Sequence, residues 1–380
     1  MNIHLKNARI VRKHAVEEGN LWICDGAFAE DGGGATADCQ VIDCDDDFLI
    51  PGLVDLHTDH VEHYVRPRPG VTWPCKLSAV LAHDAQLIGS GITTVLDALS
   101  LGDYDTGGAR TAMLDAVIDA VTAARSAGLL KADHYFHFRC ELSDPGLLPL
   151  VERHIDNGML RLASLMDHTP GQRQWHDLTL FREFRRTKNA QVWSDDEFSV
   201  YLAERQEHQL RLVTPSRDRI GQLCDARNIR LASHDDTSVA DVDQSFGNGI
   251  VVNEFPTTVT AARRAREFDM KIVMGSPNVV LGGSHSGNVS AIELAEAGLL
   301  DILTSDYAPW SLLQAAFVLA ARGFDLAHAV AMISANPADV LGFADRGRIA
   351  PHLRADLLRV RLSGGVPVIR NVWIAGMQCF

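Results

Sequence analysis

The sequence predicts an α/β protein in which a (β/α)₈ TIM-like barrel carries a small discontinuous β-sheet domain built from both termini. Three observations predict it. Short apolar, β-rich runs alternate with helical stretches through the middle of the chain, as in a parallel sheet made of βα units. Eight such runs occur, at 50–57, 92–97, 134–141, 161–167, 229–234, 249–254, 271–275 and 301–305, and eight suits a closed barrel. The 380 residues accommodate a barrel of about 250 residues with an appended module. An open doubly wound sheet is the alternative, but it would offer a glycine-rich phosphate turn after an early strand, and none is evident.

Residues 1–48 read as short strands and turns: Ile3 to Val11, Leu21 to Cys24 with Asp25-Gly26 as a turn, and Gln40 to Asp43. The last stretch, near 355–360 and 366–374, is again strand-like. Residues 1–48 and 346–380 are therefore expected to form one small β-sandwich-like domain beside a barrel of residues 49–345. Helices are expected between the runs, for example from Thr111 to Ala127 and from Ala291 to Leu300. The connection from Asp167 to Arg230 is too long for an ordinary βα linker and reads as a helical insertion at about 169–228. Whether it is a lid or a peripheral decoration stays open at this point.

Composition narrows the function classes. Hydrophobic residues at 46% and charged residues at 22% are ordinary for a soluble enzyme, and no run approaches the ~20 apolar residues of a membrane span. A formal net charge of −14 disfavours nucleic acid and anionic membrane as partners, while leaving an anionic small molecule compatible with a local arginine cluster. Met1 to Lys6 lacks the layout of a signal peptide, which suggests the cytoplasm. Seven scattered cysteines without CxxC spacing suggest reduced thiols. A homo-oligomer is left open.

Acidic or imidazole groups sit where the runs end: His57 and Asp59, Glu141, His168, His234 and Asp306. Alternate side chains of a strand share one side, so His57 and Asp59 can converge. In a barrel the strand C-termini open on one face, and groups from different strands meet there. Any one of these residues alone is more readily a structural or surface group; their recurrence points to a metal centre. Three histidines and three carboxylates make a nitrogen and oxygen shell suited to two divalent ions, zinc first, with manganese or iron as alternatives. Glu141 is the candidate bridge that would hold two ions at ~3.5–4 Å. Glu254 is a reserve ligand, and His60 and His63 read as neighbouring or surface groups.

Leu53-Val54-Asp55-Leu56-His57-Thr58-Asp59, Gly91-Ile92-Thr93-Thr94-Val95-Leu96-Asp97 and Gly347-Arg348-Ile349 with Ala355-Asp356-Leu357 resemble the amidohydrolase superfamily. Arg66-Pro67-Arg68-Pro69 with Trp73-Pro74, and the segments 164–174, 232–236, 254–258 and 282–288, resemble within it the α-D-ribose 1-methylphosphonate 5-triphosphate diphosphatases of the carbon–phosphorus lyase pathway. The resemblance implies an amidohydrolase-type barrel and a metal-dependent hydrolase whose substrate is a small phosphorylated ribose phosphonate, with pyrophosphate as one product. It implies that His57-Thr58-Asp59 stands where relatives carry HxH, that Glu141 substitutes for a carboxylated lysine, and that His168 and His234 take the two later histidine positions. Asp306 would be the last-strand proton shuttle. The two histidines fall one strand earlier than in the usual scheme, so either a strand has been missed or the register differs.

Anion recognition has its own candidates. Arg66, Arg68, Arg139, Gln172 and Arg173 lie in or beside segments that would open on the catalytic face, and guanidinium groups bind phosphate oxygens bidentately. The stretch Gly282-Gly283-Ser284-His285-Ser286-Gly287-Asn288 would let backbone N–H groups, with Ser284, His285 and Asn288, approach a phosphate. Arg173 and this loop are expected to grip the two terminal phosphates. Two rival readings are a C–N hydrolase of the same fold and a noncatalytic scaffold subunit that has lost its metals.

Overall fold

The apolar run at 49–56 divides at Gly52 and serves two different sheets. Phe48–Pro51 joins a sheet built from the chain ends, and Leu53–Thr58 opens the barrel. A side chain at position 52 would run into those of Thr93 and Asp356, so the crossing between the sheets needs glycine. The computed structural model describes residues 2–30, 39–68, 70–102, 109–189, 191–284 and 287–380.

In the terminal sheet, Ile3–Val11 pairs antiparallel with Val16–Cys24 and parallel with Gln40–Asp43 and Phe48–Pro51. Phe48–Pro51 pairs antiparallel with Leu357–Ser363, which Val366–Ile374 extends. Ile3, Leu5, Ile23, Leu49, Leu357 and Trp373 share one apolar core, which is how segments from the two ends of the sequence come together.

The second sheet is the barrel. Its strands 1 to 8 are Leu53–Thr58, Ile92–Leu101, Asp133–Glu141, Leu160–Met166, Arg230–His234, Val252–Glu254, Lys271–Gly275 and Ile302–Thr304, each parallel to the next. Every strand overlaps one of the eight runs. A parallel bridge between Thr58 and Asp306 brings the last strand back to the first, with the Asp306 N–H donating to the His57 carbonyl at 2.9 Å. Val54, Leu56, Leu96, Leu162, Val252 and Ile302 fill the interior. Among the described residues the barrel has no further strand, and His168 and His234 follow strands 4 and 5.

Helices pack between the strands, among them Ala109–Ser126 and Ala291–Glu296, the latter ending sooner than the pattern suggested. The insertion consists of a short turn of helix at Arg173–Trp175 and the helices Leu178–Asn189 and Asp195–Asp225. Ser194 starts the longer helix with a capping box: its hydroxyl accepts from the Glu197 N–H, and the Glu197 carboxylate accepts from the Ser194 N–H at 2.7 Å. The rings of Phe181, Phe198, Trp193 and Tyr201 pack together and hold the insertion on its own small core.

A charged network lies behind strand 2. His83 Nε2 is 2.8 Å from Asp97 Oδ1, and His134 Nδ1 is 2.7 Å from Asp97 Oδ2. The other face of His134 meets Asp84 at 3.3 Å, and Asp84 accepts from the N–H groups of Lys131 and Ala132. Burial lowers the pKa of His134, but the Asp97 and Asp84 carboxylates outweigh it and push it up to about 9. These donors are spent on one another, with no side chain of the three in the active-face cavity. The described cysteines are all free thiols, and no helix among the described residues is long and apolar enough to cross a membrane.

Candidate metal centre

Strand alternation puts Tyr135, His137, Arg139 and Glu141 on the inner side of strand 3. On strand 1 the pairing sets Asp55 opposite Val95 but Thr58 opposite Asp97, three steps against two. This β-bulge allows Leu56, part of the interior core, and its neighbour His57 both to face inward. The rings of His57 and His137 then meet edge to face with centroids 4.9 Å apart.

Glu254, ending strand 6, stands among the histidines. Its Oε1 lies 2.8 Å from His57 Nδ1, while Oε2 lies 2.9 Å from His234 Nδ1 and 4.0 Å from His137 Nε2. Burial raises its pKa, yet the surrounding histidines hold the carboxyl well below the usual range. His137 Nδ1 is 3.1 Å from the Leu56 carbonyl, and burial pushes its pKa down to about 3, so the ring is neutral. His57 Nε2 and His137 Nε2 are buried without hydrogen-bond partners. Such nitrogens are costly in a folded protein unless a ligand answers them, and a divalent cation fits.

Asp235 Oδ2 lies 3.4 Å from His168 Nε2 and 3.6 Å from His234 Nε2. Behind the rings, His168 Nδ1 is held by Glu141 at 2.7 Å and His234 Nδ1 by Glu254. A carboxylate behind each imidazole, with Nε2 turned to a shared point, is how proteins orient metal-binding histidines. Burial lowers the pKa of His168, but Glu141 and Asp235 overcome it and push it up to about 9, a pull that a cation would also satisfy. Two groups of three donors result, His57 with His137 and Glu254, and His168 with His234 and Asp235, the atoms of each within 4.8 Å of one another.

Backbone turns at the strand ends complete the site. Asp235 directly follows His234, and plain alternation would send it to the other side. Its φ of 56° is left-handed, as are those of Phe255 (54°) and Asp306 (55°) after strands 6 and 8, and all three residues line the cavity. Burial, then the nearby Asp59 carboxylate, raises the Asp306 carboxyl to about 6. Arg139 Nη1 is 3.5 Å from Asp59 Oδ2.

The cavity over this floor measures about 410 Å³. Asp59, Arg139, Glu141, His168, His234, Ser284, Asn288 and Asp306 line it, and His57 lies buried beneath. Asp59, Glu141 and Asp306 belong to neither three-donor group; Glu141 backs His168, and the carboxylate between the groups is Glu254. Arg66, Arg68, Gln172 and Arg173 do not line the cavity. Arg173 is instead spent on the buried Asp236, which needs a countercharge, and on the His234 carbonyl at 2.7 Å. It positions the strand 5 loop. His285 lies outside the described residues. The sequence reading passed over His137, Asp235, Gln174, Arg185, Asn278 and Tyr307. For His137 the signal was present, since it shares a face with Arg139 and Glu141.

Glu254→Gln keeps the size but leaves one carbonyl oxygen to support two imidazoles. Because Glu254 backs His57 and His234 and also counts among the donors of the first group, metal affinity measured by chelator competition is expected to fall at least about 10–100-fold, the usual cost of losing an orienting partner alone. Unchanged affinity would remove Glu254 from the centre.

No family model matches the chain. It is 42% identical over 382 residues to the α-D-ribose 1-methylphosphonate 5-triphosphate diphosphatase of Escherichia coli (strain K12), spanning 99% of this chain and 100% of that protein. Among solved structures, N-isopropylammelide isopropylaminohydrolase from Burkholderia multivorans ATCC 17616 superposes with a TM-score of 0.64 at 17% identity, over 100% of this chain and 98% of its own. The 5-methylcytosine deaminase from Klebsiella pneumoniae gives 0.62 at 13%, over 100% and 97%. At these identities the structural likeness speaks for the fold alone.

Proposed function

The chain belongs to the α-D-ribose 1-methylphosphonate 5-triphosphate diphosphatase family of amidohydrolase-fold hydrolases, and from that membership we propose that it cleaves this triphosphate to α-D-ribose 1-methylphosphonate 5-phosphate and pyrophosphate. The place of the reaction is phosphonate breakdown by the carbon–phosphorus lyase route in the cytoplasm. The observation that supports the reading is the pair of three-donor groups, His168, His234 and Asp235 lining the cavity and His57, His137 and Glu254 buried next to them.

His57, His137 and Glu254 would hold one divalent ion, and His168, His234 and Asp235 a second, with zinc the best match to this nitrogen and oxygen set. Bound there, the ions supply Lewis-acid charge that lowers the pKa of water and offsets charge on phosphoryl oxygens. Asp306 accepts the proton of the attacking water on a carboxylate oxygen. Arg139, beside Asp59 on the floor, meets the phosphoryl oxygens as charge accumulates on them. Asn278, Ser284 and Asn288, on the wall after strand 7, donate to the departing diphosphate. This orientation sets the α phosphorus over the floor. Hydrolysis in ¹⁸O-labelled water is expected to label the ribose 5-phosphate product; label in pyrophosphate would reverse the orientation.

The test of the activity follows metal-loaded protein with the ribose methylphosphonate triphosphate, nucleoside triphosphates and a cyclic amide, by phosphorus NMR and amide loss. Pyrophosphate release from the ribose compound is expected. Amide loss alone would replace the reading with a C–N hydrolase, and inertness together with absence of bound metal would leave a scaffold subunit.

A further inference from the structure

A second cavity, of about 320 Å³, shares no lining residue with the one over the metal centre. Leu165 of strand 4 and Leu231 of strand 5 line it, and neither belongs to the cluster that fills the barrel interior, so the cavity lies on the outer side of the barrel. The helix Asp195–Asp225 covers it with Arg217, Gly221 and Gln222.

Arg217 is 8% exposed, and among the described residues its guanidinium makes no hydrogen bond and no ion pair. The carboxylates that feel its charge are engaged elsewhere. Asp236 is held by Arg173 and by Asn253 Nδ2 at 2.6 Å, Asp167 accepts from the Thr169 N–H at 3.1 Å and from Gln209 Nε2 at 3.4 Å, and Asp218, which also lines the cavity, is exposed to water. Burial, then the charge of Arg173, lowers the Arg217 pKa against the pull of these three carboxylates. A buried cation that its own protein leaves unanswered is costly, and an anion entering the cavity would answer it.

Gly221 is a second, independent sign. Glycine inside a helix costs stability relative to alanine, yet a Cβ at 221 would meet no atom within 4 Å, so nothing in the packing demands glycine there. Its effect is to keep the cavity open one helical turn from Arg217.

We propose that this cavity binds a phosphate-class oxoanion, free or as the head of a phosphate monoester, with Arg217 as its cation and Gly221 leaving the room. A guanidinium takes two oxygens of such an anion at once, and the exposed Gln222 can add an amide N–H from the same helix. The site is separate from the metal centre and does not depend on the diphosphatase reading.

The test is equilibrium dialysis of the full chain with radiolabelled inorganic phosphate at constant ionic strength, on wild type, Arg217→Met, Gly221→Leu and, as a control for the metal cavity, Arg139→Met. One class of phosphate site is expected to weaken about 10- to 100-fold in Arg217→Met, the loss of a charge-assisted contact, and likewise in Gly221→Leu, which fills the space without touching the charge. Arg139→Met should keep that class. Phosphate is expected to raise the melting temperature of wild type more than that of Arg217→Met. Should Arg217→Met fail to fold, Gly221→Leu carries the test, since leucine suits a helix and meets open space. Ribose 5-phosphate measured in parallel separates the sources: tighter binding than inorganic phosphate marks a monoester, and weaker binding marks the free anion. Wild type that binds no phosphate at millimolar concentration, or phosphate binding lost only in Arg139→Met, would overturn the proposal.

Discussion

Asp306→Asn is expected to lower kcat by about 10²–10⁴-fold while KM stays close to wild type, the usual contribution of a positioned acid or base. The variant isolates proton transfer from architecture. Asp306 closes the barrel through its backbone, donating to the His57 carbonyl at 2.9 Å and accepting from the Asp59 N–H at 3.1 Å, and both contacts survive the change. Its left-handed φ of 55° is a conformation that asparagine also tolerates. The ability to take a proton is lost together with the carboxylate's charge, and the metal content control reads the latter. Steady-state kinetics on metal-loaded protein, with metal content and melting temperature as controls, check it. Activity within about threefold of wild type would place the proton elsewhere, since so small a change lies far below the range for a general base.

Asp97→Asn is expected to destabilise the fold by about 3–5 kcal/mol, the range for removing one partner of a buried ion pair. Asp97 is fully buried between His83 and His134, and its neutral replacement would leave the His134 charge facing Asp84 alone. Denaturant unfolding near neutral pH measures the loss. The same network gives stability a pH dependence whose sign is determined. The Asp97 and Asp84 carboxylates push the buried His134 up to about 9 from an ordinary 6.5, so its contribution is fully present below about pH 6.5 and is lost as pH rises through about 9. Wild type should therefore weaken on the alkaline side more than His134→Gln does. Parallel profiles would show that His134 is neutral in the folded protein.

Strand periodicity and the residues at run ends revealed the barrel and most of its floor, because both are local properties of the chain. A parallel strand buried on both faces must read as a short apolar run, and strand C-termini in a barrel share one face wherever they fall in sequence. Hence His57, Asp59, Arg139, Glu141, His168, His234 and Asp306 could be singled out without knowing what each touches. Partnership was not legible. Whether Glu141 or Glu254 stands between the two groups depends on which strands are opposite across the barrel, and strands 1, 5 and 6 converge on Glu254 while Glu141 is occupied by His168. His57 faces inward next to the equally inward Leu56 because of a bulge, and Asp235 joins His234 because its backbone turns left-handed; both break the alternation on which sequence reading depends. Arg173 looked like a phosphate ligand from its neighbours in sequence, but a buried Asp236, brought against it by folding, had the stronger demand on its charge. The set of chemical groups and the face they share follow from local patterns in the chain, whereas which of them meet is a matter of packing between residues distant in sequence.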